Sequence, residues 1–445
     1  MSGLVRFFPS LYRLSQWSDR RFTPAGKVVM GAALAAAVFG IDTTRSASYQ
    51  VFAVAAGMLM VSWLLSSRWR PRITAVRHVP SHAIVGARAT YTVSLSAGAG
   101  GATALQLRDE FETRFPDAAQ FRAAGQWQDT ATNAFDRRVG FLRWLSLTER
   151  LRGGTIAPVA LASLRASASV DVTLAFSPTR RGVIRFAALR LLRPDPLGLV
   201  NATWRVGLPQ DLVVLPRIHP VPRLALPGTR RRHRGENRTV PQVGESQEFL
   251  QLRDYRAGDP VRRIHWPSSA RAGRLVVKET GEEFFARHAL VLDTFADGIG
   301  DDVFEAAVSV AASVAGGLDL GEAFLDLMFV DDRVVTVSAG RQGAVPLSLL
   351  RELAFVSAAS RGSFADLQAR VLARSPEISA CIHVFLSLDA PRAALVKALA
   401  SRGIVQLVLA VDCDPSRRDL EGVPVHPVDR GDVGASLAAL TQWRP

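Results

Sequence analysis

Two apolar runs near the start of the chain constrain everything after them. VVMGAALAAAVFGI (28–41) and VFAVAAGMLMVSWLL (51–65) contain no ionisable residue. A helix that crosses a bilayer needs about 20 residues. The first run reaches that length by taking in Ala25 and Gly26 and letting Lys27 snorkel, the second by including Tyr49 and Gln50. Neither shows the polar face of a helix on a soluble protein. The pattern predicts a retained transmembrane hairpin, with helices over about 25–41 and 49–65. Small residues four apart, Gly31 with Ala35 and Ala53 with Gly57, predict close approach of the two helices. Arg6, Arg13, Arg20, Arg21 and Lys27 precede the pair, and Arg68, Arg70 and Arg72 follow it. The loop between carries only Arg45, offset by Asp42. The positive-inside rule then places both termini and all later domains in the cytoplasm, with Arg20, Arg21, Lys27, Arg68, Arg70 and Arg72 beside the membrane.

The remainder is long enough for two or three domains among 445 residues, and 48% apolar content argues against global disorder. Two cysteines, Cys381 and Cys413, exclude a Cys-based zinc site and suit a reduced compartment and a packing role. The net charge of +14 is unevenly spread: +7 over 1–72, +8 over 73–220, +7 over 221–280 and −8 over 281–445. Positive charge invites a nucleic-acid-binding reading. The densest cluster, Arg230, Arg231, Arg232 and Arg234, lacks interleaved aromatics for base stacking, so no nucleic acid is expected. It sits in a Pro- and Gly-rich linker over 221–243.

Residues 73–220 show period-two alternation in ITAVRHVP, ATYTVSLSA, VDVTLAF, VIRFAALRLL and DLVVLPRI, which predicts a β-sandwich-like domain. The stretch from about Gln106 to Leu164, with Trp127 and Trp144, is less regular and is expected to be an insertion of strands and loops. Asp195-Pro-Leu-Gly-Leu199 is a turn signal.

The segment 244–280 is the most informative. It reads Phe249-Leu-Gln-Leu-Arg253-Asp254-Tyr255-Arg256-Ala-Gly258-Asp259-Pro260-Val-Arg262-Arg263-Ile264-His265-Trp266-Pro-Ser-Ser269-Ala-Arg271, with ten ionisable residues between Arg253 and Arg274. Gly258 suits a tight turn, Asp259 an N-cap and Pro260 the first helical position, so VRRIHW is expected to start a helix. The segment resembles the signature of a bacterial and archaeal family, the domain of unknown function 58, through Leu252, Arg253, Tyr255, Gly258, Asp259, Arg262, Ile264, Trp266, Ser269, Ala270 and Arg271. The anchor, Arg180-Arg-Gly182 and the DPLGL turn are also similar. The resemblance implies an inner-membrane-anchored protein that works beside a MoxR-type AAA+ ATPase, with a C-terminal region similar to von Willebrand factor A domains. Two readings of the signature follow. It is a structural clasp with Trp266 filling a pocket, or a docking face that adds Arg263 and His265 to the residues above. A hydrolase built on His265 with Ser268 or Ser269 lacks a nucleophile elbow.

Residues 281–445 alternate apolar strands (289–293, 324–330, 381–389, 405–412) with helical patterns (302–316, 345–358, 364–373, 391–402). That alternation predicts a doubly wound, Rossmann-like α/β domain, von Willebrand A-like by resemblance. Such domains, where they carry an adhesion-type metal site, have D-x-S-x-S after the first strand. Here the run is Asp293-Thr-Phe-Ala-Asp297, so both serines are missing. Asp293, Asp297, Ser363 and Asp389 are the oxygens left to hold Mg²⁺. The expected function is a non-enzymatic scaffold or adaptor without a cofactor. The alternatives are a metal-dependent hydrolase using Asp293, Asp297 and Asp389, and a nucleic-acid-binding module.

Overall fold

The structure, a computed structural model, describes residues 6–39, 46–98, 101–123, 139–222, 224, 226, 247–282, 286–296, 298–318, 323–331, 334–340, 347–359, 361–414 and 419–442. It forms two compact units, Met1–Leu215 and Pro216–Pro445, and is multidomain with mixed helix and sheet content.

Unit 1 begins with a helix the sequence pattern did not suggest, α1 (Phe8–Arg21), with Pro9 in the first turn where a missing N–H costs nothing. Two apolar helices follow, α2 (Pro24–Phe39) and α3 (Ser46–Ser67), packed against each other. Ala47–Ser67 is long and apolar enough to cross a membrane. The 16 residues of α2 rise only about 24 Å at 1.5 Å each, short of a hydrocarbon core of about 30 Å. One helix, rather than the two expected, therefore reaches spanning length among the described residues. Gly31 and Gly57 do not mediate a close contact, because a Cβ on either meets nothing within 4 Å.

The strands of unit 1 are β1 (Ile73–His78), β2 (Ala83–Ile84), β3 (Ala89–Ala97), β4 (Ala102–Phe111), β5 (Val159–Leu164), β6 (Ser169–Phe176), β7 (Gly182–Pro194) and β8 (Asn201–Leu215). They form one sheet in the order β1-β3-β6 and another in the order β2-β8-β7-β4-β5. One core joins them, with Tyr91, Val93, Leu95 and Leu174 from the first sheet and Leu107, Phe186, Leu191 and Val214 from the second. Alternation delivers a charge into that core as well. Arg77 follows Ile73 and Ala75 on the inward face of β1, and its guanidinium grips Asp109 at 2.6 and 2.8 Å. Asp109 also accepts from the Tyr91 hydroxyl at 2.8 Å. Between β4 and β5 lie α4 (Ala118–Ala123) and α5 (Phe141–Arg152). Trp144 of α5 is fully buried against Phe8 and Tyr12 of α1. Trp127 lies outside the described residues.

The DPLGL turn between β7 and β8 does more than reverse the chain. The Asp195 carboxylate accepts from the amides of Leu197, Leu199 and Val200, which shapes a compact loop. The ends of the apolar helices seat on that loop: Thr23 donates to the Gly198 carbonyl at 2.6 Å and Ser66 to the Val200 carbonyl at 3.2 Å.

Unit 2 opens with a β-ribbon, β9 (Gln247–Asp254) antiparallel to β10 (Val276–Glu282). Between its strands are a 3₁₀ turn at Val261–Arg263 and α6 (Trp266–Ala272). The strands β11 (Arg287–Leu292), β12 (Phe324–Val330), β13 (Val334–Gly340), β14 (Ala380–Phe385), β15 (Val405–Val411), β16 (Asp419–Leu420) and β17 (Val423–Val428) form one sheet in the order β13-β12-β11-β14-β15-β17-β16. The five central strands are parallel, while β13 and β16 run antiparallel at the edges. Of the central strands, β11, β12, β14 and β15 are buried along almost their whole length, as a sheet covered on both faces requires. Helices α9 (Phe364–Arg374) and α10 (Ala390–Ala400) supply Leu367, Val371, Leu395 and Leu399 to one face. On the sheet's other face, α7 (Asp301–Gly317) packs with α8 (Leu347–Phe355) and α11 (Val433–Ala438).

Candidate functional sites: the signature ribbon and the sheet's switch point

Gly258 holds φ at +106°, and the Arg256–Asp259 turn it permits closes with the Asp259 amide on the Arg256 carbonyl at 3.0 Å. Asp259 is not a helix N-cap, which corrects the expectation. Its carboxylate takes both terminal nitrogens of Arg253 at 2.7 Å and the Arg256 amide at 2.8 Å. The Arg253 hydrogen bonds, with that amide, hold the carboxyl down to about 2. The following VRR forms a single 3₁₀ turn capped by Pro260, and the α-helix starts only at Trp266, with Pro267 in its first turn.

Ser269 is buried and structural. Its hydroxyl accepts from the Val276 amide at 2.9 Å and donates to the His265 carbonyl at 3.1 Å, which ties α6 to β10. His265 Nδ1 meets the Ser268 hydroxyl at 2.8 Å, one helical turn away. Ile264 is buried and bridges to Val277. Tyr255 is half-buried, with its amide on the Leu275 carbonyl.

These contacts make a clasp, but Trp266 does not fill a pocket in it: its side chain is 61% exposed. Val261 and Leu275 in the same segment are also exposed. Arg274 pairs with Asp254 at 2.9 Å. Arg256, Arg262, Arg263 and Arg271 are exposed and make no side-chain ion pair among the described residues. The segment between the ribbon strands therefore exposes one large aromatic ring and, along the same stretch of chain, four arginines. The cluster Arg230, Arg231, Arg232 and Arg234 lies outside the described residues.

The second site is at the carboxyl ends of β11 and β14. These neighbouring strands lead to helices on opposite faces of the sheet, the place where open α/β sheets hold ligands. Asp293 follows β11 directly and is fully buried. Asp389 caps α10 and accepts from the Arg392 amide. The side chain of Arg392 closes the site. Its Nε lies 3.1 Å and its Nη2 3.0 Å from Asp293, and its Nη1 2.6 Å from Asp389. The ring of Phe364 lies 4.3 Å from the guanidinium carbon. Burial pushes the Asp293 carboxyl up, while Arg392 and the amides of Phe295 and Leu386 pull against it.

This arrangement does not fit a divalent cation. A guanidinium already hydrogen-bonds both carboxylates, and Phe295 packs into the α9 side of the core. Ser363 is spent on a capping box with Asp366 at the start of α9. Asp297 lies outside the described residues. Among the described residues, no three His, Cys, Asp or Glu side chains gather as a metal would require. Arg392 is the participant the motif comparison missed. An arginine three residues after an N-cap aspartate, at the end of a buried strand, was its only sequence signal.

Residues 251–420 match the family model described as "Protein of unknown function DUF58". Over this segment the chain is similar to the DUF58 family. The DUF58 match covers the signature ribbon from Gln251 and runs through the sheet to β16, so both sites above lie within it. No curated protein shows a significant match to this chain. Among solved structures, the ASH/PapD-like domain of human CEP192 (PapD-like domain 7) aligns with 12% identity over 32% of this chain and 86% of that one. Its TM-score of 0.18 carries no argument.

Proposed function

We propose that this protein is a membrane-anchored, non-enzymatic scaffold or adaptor that recruits a protein partner, by its resemblance to the DUF58 family a MoxR-type AAA+ ATPase, for assembly, maturation or remodelling of other proteins. The observation that carries the reading is the exposure of Trp266 together with Arg256, Arg262, Arg263 and Arg271 within one short segment of chain, 256–271. Trp and Arg dominate the energetic centres of interfaces, and unpaired arginines suit an acidic segment on the partner. The membrane part is supported by the span-length helix Ala47–Ser67 and by the flanking arginines, which favour cytoplasmic soluble units. The strand order of the sheet, with its antiparallel β13 edge, supports a von Willebrand A-like domain. Arg392 on Asp293 supports a domain that works without Mg²⁺ and weighs against the metal-dependent hydrolase.

The test is capture from detergent-solubilised membranes with ATP and Mg²⁺ present. The reading expects an AAA+ ATPase to co-purify and to be lost with Arg262→Glu/Arg263→Glu/Trp266→Ala. Unchanged capture by that variant overturns the ribbon as the docking face. Repeated recovery of the chain alone overturns the scaffold.

A further inference from the structure

We infer that α1 is an interfacial membrane helix, lying along the lipid headgroups and clamping the β-rich part of unit 1 to the bilayer surface. The inference rests on the membrane reading above and adds a second, separate lipid contact to it. Phe7, Leu11 and Leu14 fall at i, i+4 and i+7 with Trp17 beside them, so they line one stripe of the helix. All are exposed, at 65%, 52%, 60% and 46%. A helix on a soluble protein turns its apolar stripe inward and its charges outward. Here the inward face is already occupied. Phe8 and Tyr12 are buried against Trp144, and Phe115 stacks on the same indole. The cations of α1 are largely spent on the protein side as well. Arg13 sits over the Phe115 ring, Arg20 pairs with Glu110 at 3.2 Å, and Arg21 donates to the Asn201 carbonyl at 3.1 Å.

What covers the outward stripe follows from what it adjoins. Only Phe22 and Thr23 separate α1 from apolar α2, and Lys27 of α2 pairs back to Asp19 of α1. The Trp17 ring lies 6.3 Å from Trp63 near the end of α3, and the Arg21 guanidinium caps the same Trp63 ring at 4.6 Å. Val61, Leu64 and Leu65, which flank Trp63 on α3, are themselves exposed apolar side chains. The stripe is thus continuous with the surface that a bilayer covers, at the level where tryptophans and arginines gather.

Single cysteines at Leu14→Cys on α1 and Val54→Cys on α3, each in a Cys413→Ser background, carry spin labels in full-length protein in phosphatidylglycerol/phosphatidylethanolamine nanodiscs. The inference expects both labels to relax more with oxygen than with a water-soluble nickel chelate, and the Val54 label to lie deeper. Oxygen preference at Val54 with nickel preference at Leu14 overturns the interfacial helix and leaves the membrane reading standing. Nickel preference at Val54 overturns the membrane reading and the inference with it. A Leu14 label shielded from both reagents places a protein on the stripe and overturns the lipid assignment.

Discussion

The guanidinium of Arg392 donates to the carboxylate of Asp293, with Nη2 3.0 Å from both of its oxygens, although 99 positions separate them in sequence. A fixed protein cation thus stands at the switch point of the sheet. Adding millimolar Mg²⁺ is expected to leave the thermal unfolding temperature unchanged. Stabilisation by Mg²⁺ that disappears in Asp293→Ala would show that a metal reaches the carboxylate. Arg392→Met leaves a buried carboxylate unpaired and is expected to cost about 3–5 kcal/mol, much of it recovered in Asp293→Asn/Arg392→Met.

His288 and His383 give the α/β unit an acid-side weakness. Burial holds both rings down to about 4, against an ordinary 6.5. Between those values the unfolded chain binds protons that the folded chain refuses. Stability should therefore be full above pH 6.5, fall as pH drops, and level off below about 4. The slope is at most about 1.4 kcal/mol per pH unit for each histidine. His383 donates from Nε2 to the Gln406 side-chain carbonyl at 3.0 Å, because the amide nitrogen of Gln406 is spent on Val396. Neither ring nitrogen of His288 has a hydrogen-bond partner among the described residues. His288→Leu should flatten the pH dependence of thermal unfolding in detergent and raise stability most at about pH 4 and below.

Gly26 is where α2 touches the DPLGL turn most closely. A Cβ there would lie 1.9 Å from the Leu199 carbonyl oxygen, so the backbone must move. Gly26→Ala is expected to destabilise unit 1 by about 1–3 kcal/mol. Gly31→Ala and Gly57→Ala, with open space around each, should be neutral or slightly stabilising. Thermal unfolding of the three variants side by side checks the contrast.

Arg77 and Asp109 sit in the β core with side chains 1% and 0% exposed. Arg77→Ala strands a carboxylate that also holds Tyr91, and is expected to cost about 3–5 kcal/mol. Arg185→Ala, which removes two exposed ion pairs on the sheet that carries Asp109, should cost less than about 1 kcal/mol. Denaturation in detergent reads both.

The ribbon separates folding from docking. Arg253→Ala removes the bidentate hold on Asp259 and is expected to loosen the Arg256–Asp259 turn, seen as faster amide exchange there. Trp266→Ala and Arg262→Glu alter exposed groups, so unfolding should shift by no more than about 0.5 kcal/mol while partner capture falls.

Local pattern alone determined much of this protein. Chargeless runs marked the apolar helices, period-two alternation marked β1, β3 and β6, and uninterrupted apolar runs marked the buried parallel strands. In each case one face or the whole of a segment must leave water, and that requirement is written in consecutive residues. The signature was legible as a motif for the same reason, since its turn, its Arg253–Asp259 pair and its Ser269 tie are all local. Tertiary structure alone decided the rest. The Asp293 run read as a worn metal site until packing of α10 delivered a guanidinium to it. Trp266 read equally well as pocket-filler or docking residue until its surroundings were known. The polar stretch before α2 concealed an amphipathic helix, because its two apolar faces answer to different partners: Phe8 and Tyr12 to a tryptophan more than 130 positions away, and Phe7, Leu11 and Leu14 to no side chain in the core. Contacts across such distances depend on how elements pack, and packing leaves no period in the residues that make them.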